Sequence, residues 1–229
     1  MAKTALIVGA GDGISASFAR LLAGEGIKVG LAARRPDALS ALCDQIGGLA
    51  FRCDVAQEGE VEELFAAVDA QLGPVDIVHY NPSYRTRGSV VDLDPGEVQK
   101  ALMISAFGGF LVAQQAARRM LQQGGGAILF TGASASVKGY AQSASFAMGK
   151  FALRGLAQSM ARELGPHNIH IAHFVIDGAV RGARREEPPD RPDSMLDPDA
   201  IAATYLAVAK QPRSAWTWEI ELRPWVETF

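Results

Sequence analysis

A glycine-rich turn between a short apolar run and a helical pattern constrains the fold of this chain most. Ala5-Leu6-Ile7-Val8 is followed at once by Gly9-Ala10-Gly11-Asp12-Gly13-Ile14-Ser15, after which the apolar residues recur at helical spacing. A short apolar run that ends in glycine is typical of a buried strand. A strand that turns tightly into a helix is the first unit of a parallel sheet covered by helices.

Short apolar runs alternate with longer amphipathic stretches along the rest of the chain. The pattern predicts strands over residues 4–8, 28–33, 50–53, 75–79, 127–131, 169–176 and 218–222. It predicts helices over about 13–23, 36–46, 58–72, 96–123, 143–164 and 198–210. With right-handed crossovers, the fold class is α/β: a Rossmann-type doubly wound parallel sheet of about seven strands with helices on both faces. No repeat or linker divides the chain, so we expect a single domain over residues 1–229.

Composition argues against several kinds of partner. The net charge of −3 and the absence of a basic tract argue against nucleic acid. No apolar run approaches the roughly 18–20 residues that cross a bilayer, so we expect no membrane association. Cys43 and Cys53 have no metal-ligand spacing and form no disulfide framework, and the first residues lack the features of a signal peptide. We therefore expect a cytoplasmic protein without a metal site.

The glycine-rich turn has the features of a phosphate cradle. Glycine permits a tight turn and lets backbone N–H groups approach an anionic pyrophosphate, and the following helix N-terminus adds free N–H groups. Glycines also mark ordinary turns, but the strand–turn–helix context favours a dinucleotide site. We therefore predict that the turn binds the cofactor through Gly9, Gly11, Asp12, Gly13 and Ile14.

The end of the second strand favours one dinucleotide over the other. A carboxylate there would accept hydrogen bonds from the ribose hydroxyls of NAD. This chain has Ala33-Arg34-Arg35 instead, which leaves room for a 2′-phosphate and offers it charge-assisted contacts. The alternative is that Arg34 and Arg35 are ordinary solvated arginines. We predict NADP(H) as the preferred cofactor, with NAD(H) possible.

Several segments in the expected order resemble the short-chain dehydrogenase/reductase family along nearly the whole chain. They are Val8 to Ser15 (with Ser15 in place of the last glycine), Cys53-Asp54-Val55, Tyr80-Asn81-Pro82-Ser83, Gly126-Ala127-Ile128, Phe146-x-x-x-Lys150 and Ile176-Asp177-Gly178. The resemblance implies that Asp54 binds the adenine amino group. It also implies cofactor contacts from Val55, Asn81, Lys150, Asp177 and Gly178.

The same resemblance identifies a degenerate set of catalytic positions. Family members use a tyrosine as proton donor or acceptor, a lysine that lowers its pKa and binds the ribose, a serine for the substrate oxygen, and an asparagine for a relay water. An ungapped alignment puts Phe146, Lys150, Ala133 and Ser105 at those positions in turn. Phenylalanine carries no transferable proton and alanine cannot hydrogen-bond an oxyanion. A register shifted by one would place Ser134 at the serine position without restoring the tyrosine.

Two functional hypotheses follow. In the first, the chain is an NADPH-dependent oxidoreductase with an atypical proton donor, or one that reduces an activated C=C bond, and its catalytic residues are Lys150, Tyr140 and Ser105. Loss of general acid–base assistance slows a reaction by roughly 10²–10⁴-fold without removing cofactor binding. In the second, the chain binds NADP(H) without turnover, as a sensor, regulator or assembly protein. The substrate would be a small molecule whose class the sequence does not specify.

Other residues are candidates for the missing proton donor, each with a structural alternative. Tyr140 precedes the long helix and could instead form an aromatic wall. His79, Tyr80 and Tyr84 are expected after the fourth strand, near the nicotinamide, or as loop packing. Asp177 follows the sixth strand, in the crevice where such sheets bind ligands, and could instead cap a helix or turn.

The chain after the sixth strand and the long helix after residue 143 suggest further contacts. Arg181, Arg184 and Arg185 could meet an acidic substrate or the cofactor phosphates, although Glu186 and Glu187 could neutralise them. The helix over 143–164 has small and apolar residues on several sides. Relatives commonly pair such helices, so we expect a homodimer or homotetramer; the alternative is that these residues only cover the sheet.

Overall fold

A computed structural model describes residues 3–183 and 185–228. Its strands form one seven-stranded sheet in the order β3-β2-β1-β4-β5-β6-β7, and every neighbouring pair is parallel. The strands are β1 (Thr4–Val8), β2 (Lys28–Ala33), β3 (Leu49–Arg52), β4 (Ile77–Tyr80), β5 (Gly126–Thr131), β6 (Ile169–Ile176) and β7 (Glu219–Leu222). The predicted doubly wound parallel sheet is confirmed.

Helices cover both faces of the sheet. They are α1 (Ile14–Gly24), α2 (Ser40–Ile46) with a 3-10 turn before it (Pro36–Leu39), α3 (Glu58–Gln71), α4 (Pro95–Leu102), α5 (Gly108–Gln123), α6 (Ala144–Leu164) and α7 (Pro198–Ala209). One buried cluster joins the sheet to α3, α5 and α6, and the other joins it to α1 and α7. No helix among the described residues is both long enough and apolar enough to span a membrane.

The predicted helix over 96–123 is interrupted by a π-helical segment, Met103–Phe107. The Tyr80 hydroxyl donates a hydrogen bond to the carbonyl of Ile104 within this segment. A Cβ on Gly108 would lie 2.8 Å from the Tyr80 hydroxyl oxygen, so only glycine lets the helix approach β4 this closely. Segments of this kind are rare and often mark functional sites. Here the segment carries Ser105.

The arrangement of β1, β2 and β4 positions the ligand crevice. The chain leaves β1 towards β2 on one side, and β4 lies on the other side of β1. Connections from these strands therefore diverge at their carboxyl ends and leave a crevice between them. The Asn81 N–H donates to the Val8 carbonyl at 2.9 Å, so the residues that follow β1 and β4 meet there.

Helix α6 has apolar residues on two sides, one buried and one exposed. Leu153, Ala157 and Met160 are buried in the cluster against the sheet. Met148 and Phe151, in contrast, are exposed on the other side of the helix. The apolar residues of this helix therefore divide into a core stripe and a separate outward face.

Candidate functional site

A cavity of about 730 Å³ opens at the carboxyl ends of β1, β2 and β4. The predicted cofactor residues on its walls are Gly9, Gly11, Asp12, Arg34, Arg35, Asp54, Val55 and Asn81. An adjoining cavity of about 440 Å³ is lined by Gly13 and Ile14, and it shares Gly11, Asp12 and Asn81 with the first. Tertiary folding thus gathers segments from four separate βα turns around one space.

The glycine-rich turn leaves its backbone open to this space. Gly9 has φ +77°, and a Cβ there would lie 2.6 Å from the Pro82 nitrogen, so no other residue fits. A Cβ on Gly11 or Gly13 would meet no atom within 4 Å. Gly13 provides no side-chain cap to α1. The first N–H groups of α1 are therefore available to an anion.

Ser15 stands where the family motif has its last glycine, and it braces the turn. Its hydroxyl donates to the Gly9 carbonyl at 3.3 Å and accepts from the Asn81 amide at 2.9 Å. These bonds join the start of α1 to the loop after β4. The serine therefore fits the turn without filling the cavity.

The side chains of the two arginines after β2 are exposed. Among residues 3–183 and 185–228, neither the Arg34 nor the Arg35 side chain has an ion-pair or hydrogen-bond partner. Both line the cavity. Their free guanidinium groups fit a phosphate, and the open backbone at Gly11 and Gly13 fits a pyrophosphate. The residues of the cavity therefore suit a dinucleotide that carries an additional phosphate on its ribose.

Lys150 is buried on α6 beside two of the other predicted catalytic positions. Its Nζ donates to the Thr131 carbonyl at 2.7 Å, and burial lowers its pKa to about 8. The same Nζ lies 5.9 Å from the centre of the Phe146 ring, one helical turn earlier. Ser105 packs against Gly149, whose Cβ would lie 2.8 Å from the Ser105 Cβ. The fold thus brings Ser105, Phe146 and Lys150 together.

Ala133 and Ser134 follow β5 in a short 3-10 turn that packs against α6. The Ala133 N–H donates to the Ser136 hydroxyl at 3.1 Å. Ser136 is fully buried, and its hydroxyl accepts this hydrogen bond. The residue that would hold a substrate oxygen in the ungapped alignment therefore brings only a methyl group.

His79 and Tyr80 belong to the core, which corrects the expectation that they follow the fourth strand. Both lie within β4 and are fully buried. His79 Nε2 is 2.8 Å from the Thr131 hydroxyl, which is also 3.0 Å from the Tyr205 hydroxyl. Burial, and secondarily the charge of Lys150, lowers the pKa of His79 to about 3. The buried, hydrogen-bonded imidazole favours the packing alternative for His79.

Tyr84 does follow β4 and lines the larger cavity. Its hydroxyl donates to Glu97, and Lys100 Nζ donates to that hydroxyl at 3.3 Å. The side chain is therefore held in an ion network with α4. That arrangement favours the packing alternative for Tyr84.

Arg85 is a residue of this region that the sequence reasoning did not identify. Its guanidinium carbon lies 5.0 Å from the centre of the Phe146 ring. Its Nη2 donates to the Ser143 hydroxyl just before α6. Burial and the neighbouring Arg87 lower the pKa of Arg85. Two arginines in the loop after a central strand were the available signal.

Asp177 and Gly178 line neither of the two cavities. The Asp177 carboxylate is buried and lies 3.4 Å from Lys138 Nζ and 3.5 Å from an Arg223 nitrogen. A Cβ on Gly178 would lie 2.6 Å from Pro224 Cδ. Asp177 thus ties the loop before α6 to the chain after β7, and its predicted cofactor contact stays a prediction.

Tyr140 lies at the surface before α6, 45% exposed. Among the described residues its hydroxyl has no hydrogen-bond partner, and Tyr140 lines neither cavity. Its predicted role as proton donor therefore stays a prediction.

The arginines after β6 differ in their surroundings. Arg181 and Arg185 line the smaller cavity, and Arg181 is paired with Asp197 at 2.5 Å. Arg184 lies outside the described residues. Across the described ranges, no group of three or more His, Cys, Asp or Glu side chains is arranged to hold a metal ion.

A sequence model of the family described as short chain dehydrogenase matches residues 3–187 of this chain. The (21S)-21-acetoxyl-apo-melianone synthase SDR of Melia azedarach is 31% identical over 223 residues, covering 90% of this chain and 82% of that protein. A solved short-chain dehydrogenase from Rhodopseudomonas palustris is 36% identical with a TM-score of 0.84, covering 97% of this chain and 99% of the other. An alcohol dehydrogenase from Thermococcus sibiricus, solved with 5-hydroxy-NADP, shares the fold at 24% identity and a TM-score of 0.89, with 100% and 99% covered.

Proposed function

This chain belongs to the short-chain dehydrogenase/reductase family, and from that premise we propose that it is an NADPH-dependent oxidoreductase acting on a small molecule. The observation that carries the proposal is the 730 Å³ cavity, whose walls combine the open glycine turn with the free guanidinium groups of Arg34 and Arg35. A phosphate on the ribose would offset the charge of these arginines. NADH would leave them unpaired.

Bound NADPH would supply the hydride, and the residues of the chain would bind and orient it. The open N–H groups of the α1 N-terminus would hold the pyrophosphate, and Asp54 and Val55 would border the adenine. Lys150, held by the Thr131 carbonyl, would donate to the nicotinamide ribose. Its pKa of about 8 lets it exchange a proton near neutral pH as well.

The proton for the substrate must come from an unusual source. Neither Phe146 nor Ala133 has a hydroxyl, and Ser105 accepts a hydrogen bond from the Tyr84 N–H at 3.4 Å. We therefore propose that the chain reduces an activated C=C bond, whose enolate product takes its proton from water, or that Tyr140 donates the proton from its surface loop. Tyr140 is 45% exposed, and its hydroxyl has no hydrogen-bond partner among the described residues.

The loss of both hydroxyls also supports a second candidate, a protein that binds NADP(H) without turnover. In that case Lys150 would serve only to hold the ribose. What favours this candidate is that neither Phe146, beside Lys150, nor Ala133, after β5, carries a hydroxyl group.

Stopped-flow measurement of NADPH oxidation against panels of carbonyl compounds and enoyl thioesters separates the two candidates. The oxidoreductase hypothesis predicts stereospecific oxidation that Lys150→Ala abolishes. NADPH binding by calorimetry with no turnover across both panels would favour the binding protein. The exchange Lys3→Ala, at an exposed lysine that lines neither cavity, is a suitable control for loss of a lysine charge.

We further propose that the chain forms a homo-oligomer through the outward faces of α5 and α6. Phe107 and Phe110 stack on each other with ring centres 6.1 Å apart and remain exposed, as do Met148 and Phe151. Exposed apolar patches of this kind mark protein interfaces. Sedimentation at micromolar concentration should show a dimer or larger species that Phe151→Glu dissociates. A monomeric unmodified protein would contradict the proposal.

A further inference from the structure

Arg85 lies beside Phe146 and Lys150 without an acidic partner. Its guanidinium carbon is 5.0 Å from the centre of the Phe146 ring, and Lys150 Nζ is 5.9 Å from the same point. Within residues 3–183 and 185–228, no carboxylate forms an ion pair with Arg85 or Arg87. Arg85 and Lys150 are therefore two cations near the Phe146 ring that no carboxylate of the described residues pairs with.

The position of Arg85 is fixed by its neighbours. Its Nη2 donates to the Ser143 hydroxyl, and the Phe146 ring lies under the guanidinium. The loop is fastened beyond it as well, because the Ser145 hydroxyl donates to the Thr86 carbonyl at 2.9 Å. A guanidinium held in advance loses little freedom when a ligand binds, which strengthens binding.

The loop of Arg85 continues the wall of the candidate cofactor cavity. Asn81, Pro82, Ser83 and Tyr84 line that cavity, and Arg85 is the next residue. Its exposed side chain turns to Phe146, the position that carries the proton donor in the family resemblance. Arg85 and Lys150 both lie within 6 Å of the Phe146 ring centre, so a substrate held against that ring would be within reach of the guanidinium.

We propose that Arg85 binds an anionic oxo group of the substrate, a carboxylate or phosphoryl group, beside the reacting atoms. This inference rests on the proposed function, since it assigns the substrate class of the same site. The planar guanidinium fits either anion through two parallel N–H···O bonds. The remaining N–H groups of Arg85 are available, because among the described residues its side chain donates only one hydrogen bond, from Nη2 to Ser143.

Arg85 would act as a specificity residue. An acidic substrate gains a charge-assisted bond that a neutral analogue of the same shape lacks. Such a bond to a charged group corresponds to about a tenfold difference in affinity. The cationic pair also selects against substrates that carry an amine near the reacting atoms.

Calorimetry with matched probes tests this directly. The probes are benzoate and its neutral counterpart benzamide, together with phenyl phosphate. Each is titrated into the full chain with saturating NADPH, so that the anions cannot occupy the cofactor phosphate sites, and again without NADPH. The variants are Arg85→Met, which keeps the unbranched stem, and Arg162→Met. Arg162 is an exposed arginine of the same helix as Phe146, about 24 Å further along.

The unmodified protein and Arg162→Met should prefer benzoate or phenyl phosphate over benzamide about tenfold, and Arg85→Met should lose that preference. The stronger of the two anions distinguishes a carboxylate from a phosphoryl substrate. Equal affinity for charged and neutral probes, no anion binding at millimolar concentration, or a preference that survives in Arg85→Met would overturn the proposal. A preference that depends on Arg85 in a protein that oxidises no NADPH would keep this site and reject the reductase.

Discussion

Phe146 is the residue on which the chemistry of this protein depends most. Its ring lies next to Lys150, and only a hydroxyl separates it from the tyrosine of the family motif. Phe146→Tyr should therefore raise kcat/KM for carbonyl substrates, by about 10²-fold if the new hydroxyl acts as a general acid. Reduction of an activated C=C bond should change little. Steady-state rates on both substrate panels measure this, and an equal effect on both would contradict the assignment of the position.

Arg34 should determine the choice of cofactor. Its guanidinium lines the cavity and has no partner within the described chain. Removing a charged contact to phosphate costs about 1.5–3 kcal/mol, so Arg34→Ala should weaken NADPH binding about 10- to 100-fold. NADH binding should be unchanged and serves as the internal control. Fluorescence titration of both nucleotides decides it; an equal loss for both would contradict a 2′-phosphate contact.

At the scale of the element, two glycines of the β1–α1 turn should behave differently. Gly9 has φ +77° and no room beside Pro82, so Gly9→Ala should lower the free energy of unfolding by about 1–3 kcal/mol. Gly11 has open space around it, so Gly11→Ala should fold normally and weaken cofactor binding, because its methyl group projects into the cavity. Urea unfolding and NADPH titration of the two variants test this. Similar stability losses in both would show that Gly11 does not face the ligand.

The π-helical segment shows how one element serves another. Tyr80 in β4 donates to Ile104 within the segment, and Gly108 gives the hydroxyl room. The segment also contains Ser105, which packs against Gly149, the residue directly before Lys150. The hydrophobic pattern of this stretch predicts a continuous helix, because a π segment differs from an α-helix in the spacing of its backbone hydrogen bonds, which side-chain hydrophobicity does not report.

At the scale of the whole molecule, buried histidines link stability to pH. Burial lowers the pKa of His79 to about 3 and that of His173 to about 4, from an ordinary 6.5. Between about pH 6.5 and 4 the unfolded chain therefore binds protons that the folded chain excludes. The free energy of unfolding should fall as the pH falls through this window, by at most about 1.4 kcal/mol per pH unit for each histidine.

Urea unfolding at a series of pH values measures this slope. His79→Gln keeps an amide nitrogen near the Thr131 hydroxyl and removes the titrating group, so it should make the slope shallower by up to about 1.4 kcal/mol per pH unit. A slope that is unchanged in His79→Gln would show that His79 does not govern acid stability. A stability that rises towards pH 4 would contradict both histidine assignments.

Local sequence patterns were enough to predict the elements, the fold class and most of the residues that line the candidate cofactor cavity. Strand and helix periods are local, and the glycine turn, Arg34, Asp54 and Asn81 each follow a strand whose carboxyl end lies at the same edge of a parallel sheet. Only the folded structure shows which side chains meet across long separations in sequence. Arg85 and Ser143 are 58 residues apart, and His79 and Thr131 are 52 apart. No local pattern encodes such contacts, because they arise only when packed elements fix the distance and direction of both side chains.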